Sequence, residues 1–223
     1  MGTDHTTAKF LLRACHDLRT PLRAIRAHAE LLVRDAGAQT HVDLAQRVGF
    51  ITDGARQLDR LVEGITLYSI ALQLDQGSFQ SVSTGVLLRG ALAKLEKPLR
   101  ENGAEVTYGD MPRVRGNPDA LMQLFEQLLR NTIDHRGEAA PRVHISAAKA
   151  DGCLQFAVQD RGPGVEAGEL ERIFRPFEHL HGSGPGLGLA TCRAIVEGHG
   201  GKIWAESPAS EGCAILFTLA DAL

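Results

Sequence analysis

The chain has no apolar run approaching the ~20 residues that a membrane-spanning helix needs, and its opening stretch, MGTDHTTAKF, lacks the apolar core of a secretory leader. A cytoplasmic protein is the expectation, with any membrane tether lying outside the sequence. Cysteine is scarce and scattered. Cys15, Cys153, Cys192 and Cys213 form no CxxC pair, which argues against a zinc site and for free thiols in a reducing compartment. No long block of one charge sign interrupts a formal net charge of −3, so neither nucleic acid nor an anionic membrane is an expected main partner. Internal repeats and low-complexity segments are also missing. What remains, 223 residues with 43% apolar and 23% charged side chains, suits one large globular domain or two modest ones.

Residues 1–75 carry a heptad rhythm. Ala8, Leu11, Cys15, Leu18, Leu22, Ile25, Ala29 and Leu32 are spaced alternately three and four apart. After a polar break at 35–40 the rhythm resumes at Leu44, Val48, Ile51, Ala55, Leu58, Val62 and Ile65. Two helices joined by a short loop, an antiparallel hairpin with this seam between them, account for the pattern. Leu12, Leu61 and Leu67 widen the stripe beyond what one hairpin covers, so a second copy is expected to complete a four-helix bundle as a homodimer. Taken alone, the seam fits a coiled-coil spacer equally well.

Residues 78–223 read as mixed α and β. Thr84 is placed to cap a helix whose apolar face includes Val86, Leu87, Ala91, Leu95 and Leu99, and short strands are expected near 104–108 and 112–115. Asn117-Pro118 is a strong helix start, and that helix should run to about Asp134. Strands are expected at 142–149 and 153–159 with Asp151-Gly152 as the turn, then a helix at 187–198, then strands at 201–206 and 213–219. Strands joined by tight turns, with helices grouped apart, predict an α+β two-layer sandwich.

Four segments carry candidate chemistry. His16-Asp17-Leu18-Arg19-Thr20-Pro21-Leu22 lies inside the first helix, with His16 just off the seam and Pro21 unable to donate to the Asp17 carbonyl. A neutral imidazole whose second nitrogen is held by a carboxylate is a nucleophile; from these residues alone a surface histidine at a bend is the commoner case. Asn131, near the end of its helix, offers an amide oxygen suited to Mg²⁺ or to a plain helix end. Asp160-Arg161-Gly162-Pro163-Gly164 follows a strand, so its carboxylate can accept from an exocyclic amine while its glycines let backbone approach; such a string is as often only a turn. Gly184-Pro185-Gly186-Leu187-Gly188-Leu189 opens a helix, whose free N–H groups and dipole favour an anion. Ile173-Phe174-Arg175-Pro176-Phe177 lies between the last two and either packs a loop or fills core.

Together and in this order these segments resemble the sensor histidine kinases over essentially the whole chain. HDLRTPL resembles the phospho-acceptor box, Asn131 falls in the asparagine box, DRGPG and GPGLGLA are similar to the two glycine boxes, and IFRPF to the phenylalanine box. LMQLFEQLLRN, PRVHISA and IVEGHGGKIWAES are similar in particular to kinases attached to bacterial phytochromes. The resemblance implies a Bergerat-type ATP-binding domain at 78–223, shared with gyrase-type ATPases and heat-shock chaperones, behind a dimerising hairpin at 1–75. It implies ATP and Mg²⁺ as cofactors, and His16 as the phosphoryl acceptor with Asp17 orienting its ring. The phosphoryl group would pass to an aspartate of a response-regulator receiver domain, with Thr20 in the place that serves the reverse, phosphatase activity. Asn131 would hold Mg²⁺ and Asp160 the adenine amine. His135, Arg136, Gly162, Gly164, Phe177, Gly184, Gly186, Leu187, Gly188 and Leu189 would surround the nucleotide. A sensor domain would lie upstream, outside the chain.

Three positions depart from the family. Gln127 stands where a second asparagine is usual, Asp134 where a basic residue is, and His135 where an aromatic commonly lies against adenine. The loop between Phe177 and Gly184 is several residues short. These departures set a second reading beside the active kinase: a catalytically weak one acting as scaffold or phosphatase. A gyrase-type ATPase needs a glutamate base at position 127, and Glu126 is ~100° away around the helix.

Overall fold

The computed structural model describes residues 2–34, 41–136, 139–150, 152–178, 184–208 and 212–222. The chain divides into two compact units, Met1–Thr66 and Leu67–Leu223.

The first unit is a pair of long helices, α1 (Gly2–Arg34) and α2 (His41–Ala71), the latter running on into the second unit. The loop expected at 35–40 and the Ala8 side chain lie outside the described residues. Both helices match the periodicity, and the contact line between them covers only part of the expected seam. Among the described residues of this unit Ala14, Pro21, Gly54 and Leu61 are buried, and Leu18, Ile25, Ala29, Leu32, Ile51, Leu58 and Ile65 of the seam are half-buried, whereas Leu11, Cys15, Leu22, Leu44, Val48, Ala55 and Val62 are exposed. The reason is steric. A Cβ at Gly54 would lie 2.8 Å from Ile25 Cγ1 and 3.2 Å from the Pro21 carbonyl, so the missing side chain sets where α2 can press against α1. Leu22 and Val62 are among the seam residues left facing outward.

The second unit is built on a five-stranded sheet in the order β2-β4-β5-β7-β6, from β2 (Glu105–Tyr108), β4 (Arg142–Ala150), β5 (Cys153–Asp160), β6 (Ile203–Glu206) and β7 (Ala214–Leu219). Only β2 and β4 run parallel, because β3 (Arg113–Gly116) and α5 (Pro118–Asp134) intervene between them. β4, β5, β7 and β6 are antiparallel neighbours. Gly152, at the β4–β5 turn, adopts φ +80°, a conformation that favours glycine; its expected companion Asp151 lies outside the described residues.

α5 is amphipathic by spacing: Leu121, Leu124, Phe125, Leu128 and Leu129 recur at i, i+3, i+4, i+7 and i+8, and all are buried. They meet Ile145, Phe156 and Phe217 of the sheet in one apolar core with α3 (Thr84–Lys94) and α6 (Gly188–Gly198). Each fully buried side chain of this size contributes roughly 1.5–3 kcal/mol. Asn117 caps α5 by accepting the Ala120 N–H at 3.0 Å, as its sequence predicted. The result is the expected α+β two-layer sandwich, helices on one face of the sheet.

Two local expectations are corrected. Thr84 is not the cap of α3: Ser83 occupies that place, and the Thr84 hydroxyl donates to the Pro112 carbonyl at 2.6 Å. Val86 is exposed, and the helix breaks at the buried Leu95 before continuing as α4 (Glu96–Glu101). A further strand, β1 (Gln80–Ser83), pairs antiparallel with β3 in a separate two-stranded sheet.

Candidate functional site

His16 sits in the middle of α1 with its side chain 80% exposed. Its Nδ1 lies 2.9 Å from Asp17 Oδ1. A carboxylate only accepts, so Nδ1 carries the proton and the neutral ring keeps an Nε2 lone pair directed away from its partner. Thr20, one turn on, is also exposed. Among the described residues its hydroxyl has no hydrogen bond, whereas Thr52 and Thr66 of α2 donate back to the Val48 and Val62 carbonyls at 2.8 Å.

In the second unit, the end of β5 and the end of α5 come together. Asp160 Oδ1 accepts the Gly162 N–H at 2.8 Å and the Cys213 N–H at 3.2 Å, and the Asp160 N–H donates to the Cys213 carbonyl at 2.9 Å. Oδ2 is left without a partner among the described residues. Asp160, Gly162 and Arg136 line a cavity of about 240 Å³, joined by Thr132, Pro141, Arg142 and Arg161. A carboxylate and three arginines among the lining residues, Arg142 being also ion-paired to Glu105 at 3.4 Å, suit a ligand that carries both an amine and anionic groups. His135 is the residue that ends α5, exposed, its carbonyl close against Gly162. Burial, and then the charge of Asp160, push the Cys213 thiol up to about 12, so it stays protonated and inert at neutral pH.

The glycine-rich segment lies within the described residues from Gly184 onward. Phe177, buried and at φ +61°, donates its N–H to the Gly186 carbonyl at 2.8 Å, and Gly186 itself has φ +67°. The short loop expected between Phe177 and Gly184 falls at 179–183, outside the described residues. Leu187 is buried and Leu189 packs partly against the core, so what this segment exposes is backbone. α6 starts at Gly188 with no side-chain cap and no acidic residue in its first turn, leaving its first N–H groups open to an anion. A Cβ at Gly188 would lie 3.1 Å from Gln127 Oε1, so that amide oxygen rests against the start of α6. Asn131 follows one turn later on the same face of α5.

Sequence reasoning missed Thr132, Pro141, Arg142 and Cys213 as neighbours of Asp160, since no local motif brings them to it. It also left two questions that the structure answers. Phe174 and Phe177 both fill the interior, with the Arg193 guanidinium 4.7 Å from the Phe174 ring centre. Glu126 is ion-paired to Lys94 at 2.6 Å, which commits the one carboxylate that a gyrase-type reading would need. Among the described residues no group of three His, Cys, Asp or Glu could hold a metal, and no helix is long and apolar enough to cross a membrane.

Residues 7–71 match the His Kinase A (phospho-acceptor) domain, and residues 116–223 match the histidine kinase-, DNA gyrase B-, and HSP90-like ATPase family. Cyanobacterial phytochrome A of Nostoc sp. strain PCC 7120 is 34% identical over 215 residues, covering 95% of this chain and 28% of that protein. The chain spans less than a third of the length of the curated phytochrome relatives it matches. The solved catalytic domain of histidine kinase ThkA, 27% identical, superposes with a TM-score of 0.57 over 64% of this chain and 95% of its own. ThkA in complex with response regulator TrrA gives a TM-score of 0.71 over 95% of this chain and 60% of that one, a likeness of fold at 22% identity. A phospho-acceptor domain and an ATPase domain thus follow one another in the order the motifs implied, and the chain belongs to the sensor histidine kinases.

Proposed function

We propose that the chain uses ATP to phosphorylate His16 and passes the phosphoryl group to an aspartate of a response-regulator receiver domain. The observation that carries this reading is the hydrogen bond from His16 Nδ1–H to Asp17 on an exposed helix face, which leaves Nε2 free to attack. Nε2 adds in line to the γ-phosphorus of ATP. The N–P bond forms as the bond to the β-phosphate oxygen breaks, ADP departs with that electron pair, and Asp17 takes the Nδ1 proton. Asp160 Oδ2 accepts from the exocyclic amine of adenine, with Gly162, Gly164 and His135 shaping the surrounding backbone. The backbone from Gly184 through Gly186 and Leu187 to Gly188 and Leu189, held at one end by Phe177, lies against the phosphates. Arg136 offsets their charge.

The donor set fits Mg²⁺ in one particular way. Asn131 and Gln127 present two amide oxygens on one helix face and no carboxylate cluster, and a hard cation that keeps waters takes its remaining oxygens from the substrate. Bound there, Mg²⁺ would neutralise developing phosphate charge. The likeness to ThkA bound to a response regulator supports the choice of acceptor, and the outward apolar residues of the hairpin support a homodimer. An ATP-fuelled reaction agrees with the cytoplasmic location expected from the unpaired cysteines.

Incubation with γ-labelled ATP and Mg²⁺ tests the reading. Label should appear on the wild-type chain in an acid-labile, alkali-stable form and be missing from His16→Ala. An unlabelled wild type, or equal labelling of both, would overturn it.

A further inference from the structure

We infer that Ser207 is a positioning residue for adenine recognition, one hydroxyl tying together the two backbone segments that aim Asp160; this rests on the reading of Asp160 as the acceptor for the adenine amine. Asp160 is held from two sides. Gly162 N–H grips Oδ1 from the loop that follows β5, and Cys213 N–H grips the same oxygen from the start of β7. Each grip is only as fixed as the backbone that carries it. The loop turns through Gly164 at φ +78°, and the approach to Cys213 turns through Gly212 at φ +84°, both conformations that favour glycine.

Ser207 joins them. Its Oγ accepts the Val165 N–H at 2.8 Å and donates to the Gly212 carbonyl at 2.8 Å, so both capacities of the hydroxyl are spent on backbone, one bond on each side of the carboxylate. The packing leaves no slack around it. A Cβ on Gly164 would lie 2.8 Å from Ser207 Oγ, and a Cβ on Gly212 would strike the Asp160 carbonyl. Without the hydroxyl, a half-buried N–H and a carbonyl lose their partner together, one of them three residues beyond Gly162 in the same loop and the other on the residue just before Cys213, so relaxation of either segment reaches a donor on Oδ1. Ser207 does not line the cavity itself, so its influence on a ligand runs through Asp160. Oδ2, the oxygen left over for the amine, keeps its direction because Oδ1 is pinned from both segments.

The test uses the full chain and two substitutions of the same shape. Ser207→Thr keeps the hydroxyl and Ser207→Val replaces it with a methyl, so any difference between them reports the hydrogen bonds and not the bulk. Binding of ATP, GTP and inorganic triphosphate is measured for both, for wild type and for Asp160→Asn, well below each melting temperature. The expected result is that Ser207→Thr keeps the wild-type preference for ATP over GTP. Ser207→Val should bind ATP roughly tenfold more weakly, with triphosphate affinity unchanged. Equal ATP affinity in the two variants, or equal loss of ATP and triphosphate in Ser207→Val, would overturn the inference while a selective wild type left the adenine reading standing. A wild type that binds ATP and GTP alike would remove that reading first, and with it the role of Ser207.

Discussion

His199 Nε2 accepts the Asn117 N–H at 3.0 Å, a bond between residues 82 apart that joins the end of α6 to the start of α5. The same ring donates from Nδ1–H to the Ile195 carbonyl at 2.7 Å and stacks on Phe79 with centroids 4.4 Å apart. One nitrogen must accept and the other donate, so only the neutral ring satisfies both partners. Its buried position agrees: desolvation pushes the imidazole below its ordinary value of 6.5, opposed in part by the bond to Ile195.

The pH dependence of stability follows in sign. With the folded value below the unfolded one, the unfolded chain binds more protons in the interval between them, so stability rises with pH there. The contribution is complete above about pH 6.5 and is lost as pH falls through the depressed folded value. The melting temperature of the wild type should drop between pH 7 and pH 5. His199→Gln should start lower, by roughly 1–3 kcal/mol for the disturbed Asn117 N–H, and lose less over the same interval. Parallel melting curves for the two proteins across this range would contradict the assignment.

Asp160→Asn should weaken ATP binding by roughly 1–3 kcal/mol without loss of fold. The geometry dictates which atom faces the ligand. Two backbone N–H groups hold Oδ1, so the introduced amide keeps its oxygen there and turns its NH₂ toward the adenine amine, donor against donor. Titration with a fluorescent ATP analogue measures the change, and wild-type affinity in this variant would show that Asp160 does not read adenine.

Much of this was legible in the sequence. Asn117-Pro118 and the 3–4 spacing after it locate the start of α5 to the residue, because a cap, a proline in the first turn and an apolar stripe all agree there. The Asp160 and Gly186–Gly188 segments are visible because local backbone chemistry demands those residue types. Three features are not. A heptad rhythm says which residues are apolar but not whether a partner helix comes from the same chain or another, so it puts Leu22 and Val62 in the hairpin interior although each is more than half exposed. β1 is four residues long with a partner 33 positions ahead, beyond the reach of any local pattern. Cys213 reaches Asp160, and Ser207 the loop beyond it, from some 40–50 residues away, which only the sheet order β5-β7-β6 brings together.

Those outward residues predict assembly. Leu22 and Val62 are 56% and 55% exposed in the single chain, with Leu11, Leu44 and Val48 exposed on the same hairpin. Covering each contributes up to ~1.5–3 kcal/mol, more than enough over several residues and two copies to hold a dimer. The chain should scatter light as a parallel homodimer at micromolar concentration, and Val62→Glu should shift it toward monomer without melting the ATP-binding unit. A monomeric wild type would remove the four-helix bundle.

The last prediction separates the two activities assigned around His16. Residues four apart share a helix face, so Thr20 lies one turn below His16, while Asp17 is rotated by ~100° and bonded to the ring. Accepting the γ-phosphate needs the imidazole and its carboxylate; nothing in that step calls on a hydroxyl at Thr20. A water aimed at a phospho-aspartate beside the helix does need a positioning partner. The Thr20 hydroxyl is exposed and has no hydrogen bond among the described residues, unlike Thr52 and Thr66, whose hydroxyls are tied to their own helix. Thr20→Ala should therefore leave autophosphorylation and transfer within about twofold and slow dephosphorylation of the regulator by roughly 10- to 100-fold, the effect of losing one positioning hydrogen bond. Its melting temperature should hardly move, because no buried or bonded group is removed. His16→Ala should lose phosphate acceptance and also keep its fold, since the side chain projects into solvent. Both rates measured on Thr20→Ala with one receiver domain decide the matter: a matched fall in the two, or no fall in either, takes the phosphatase role away from Thr20.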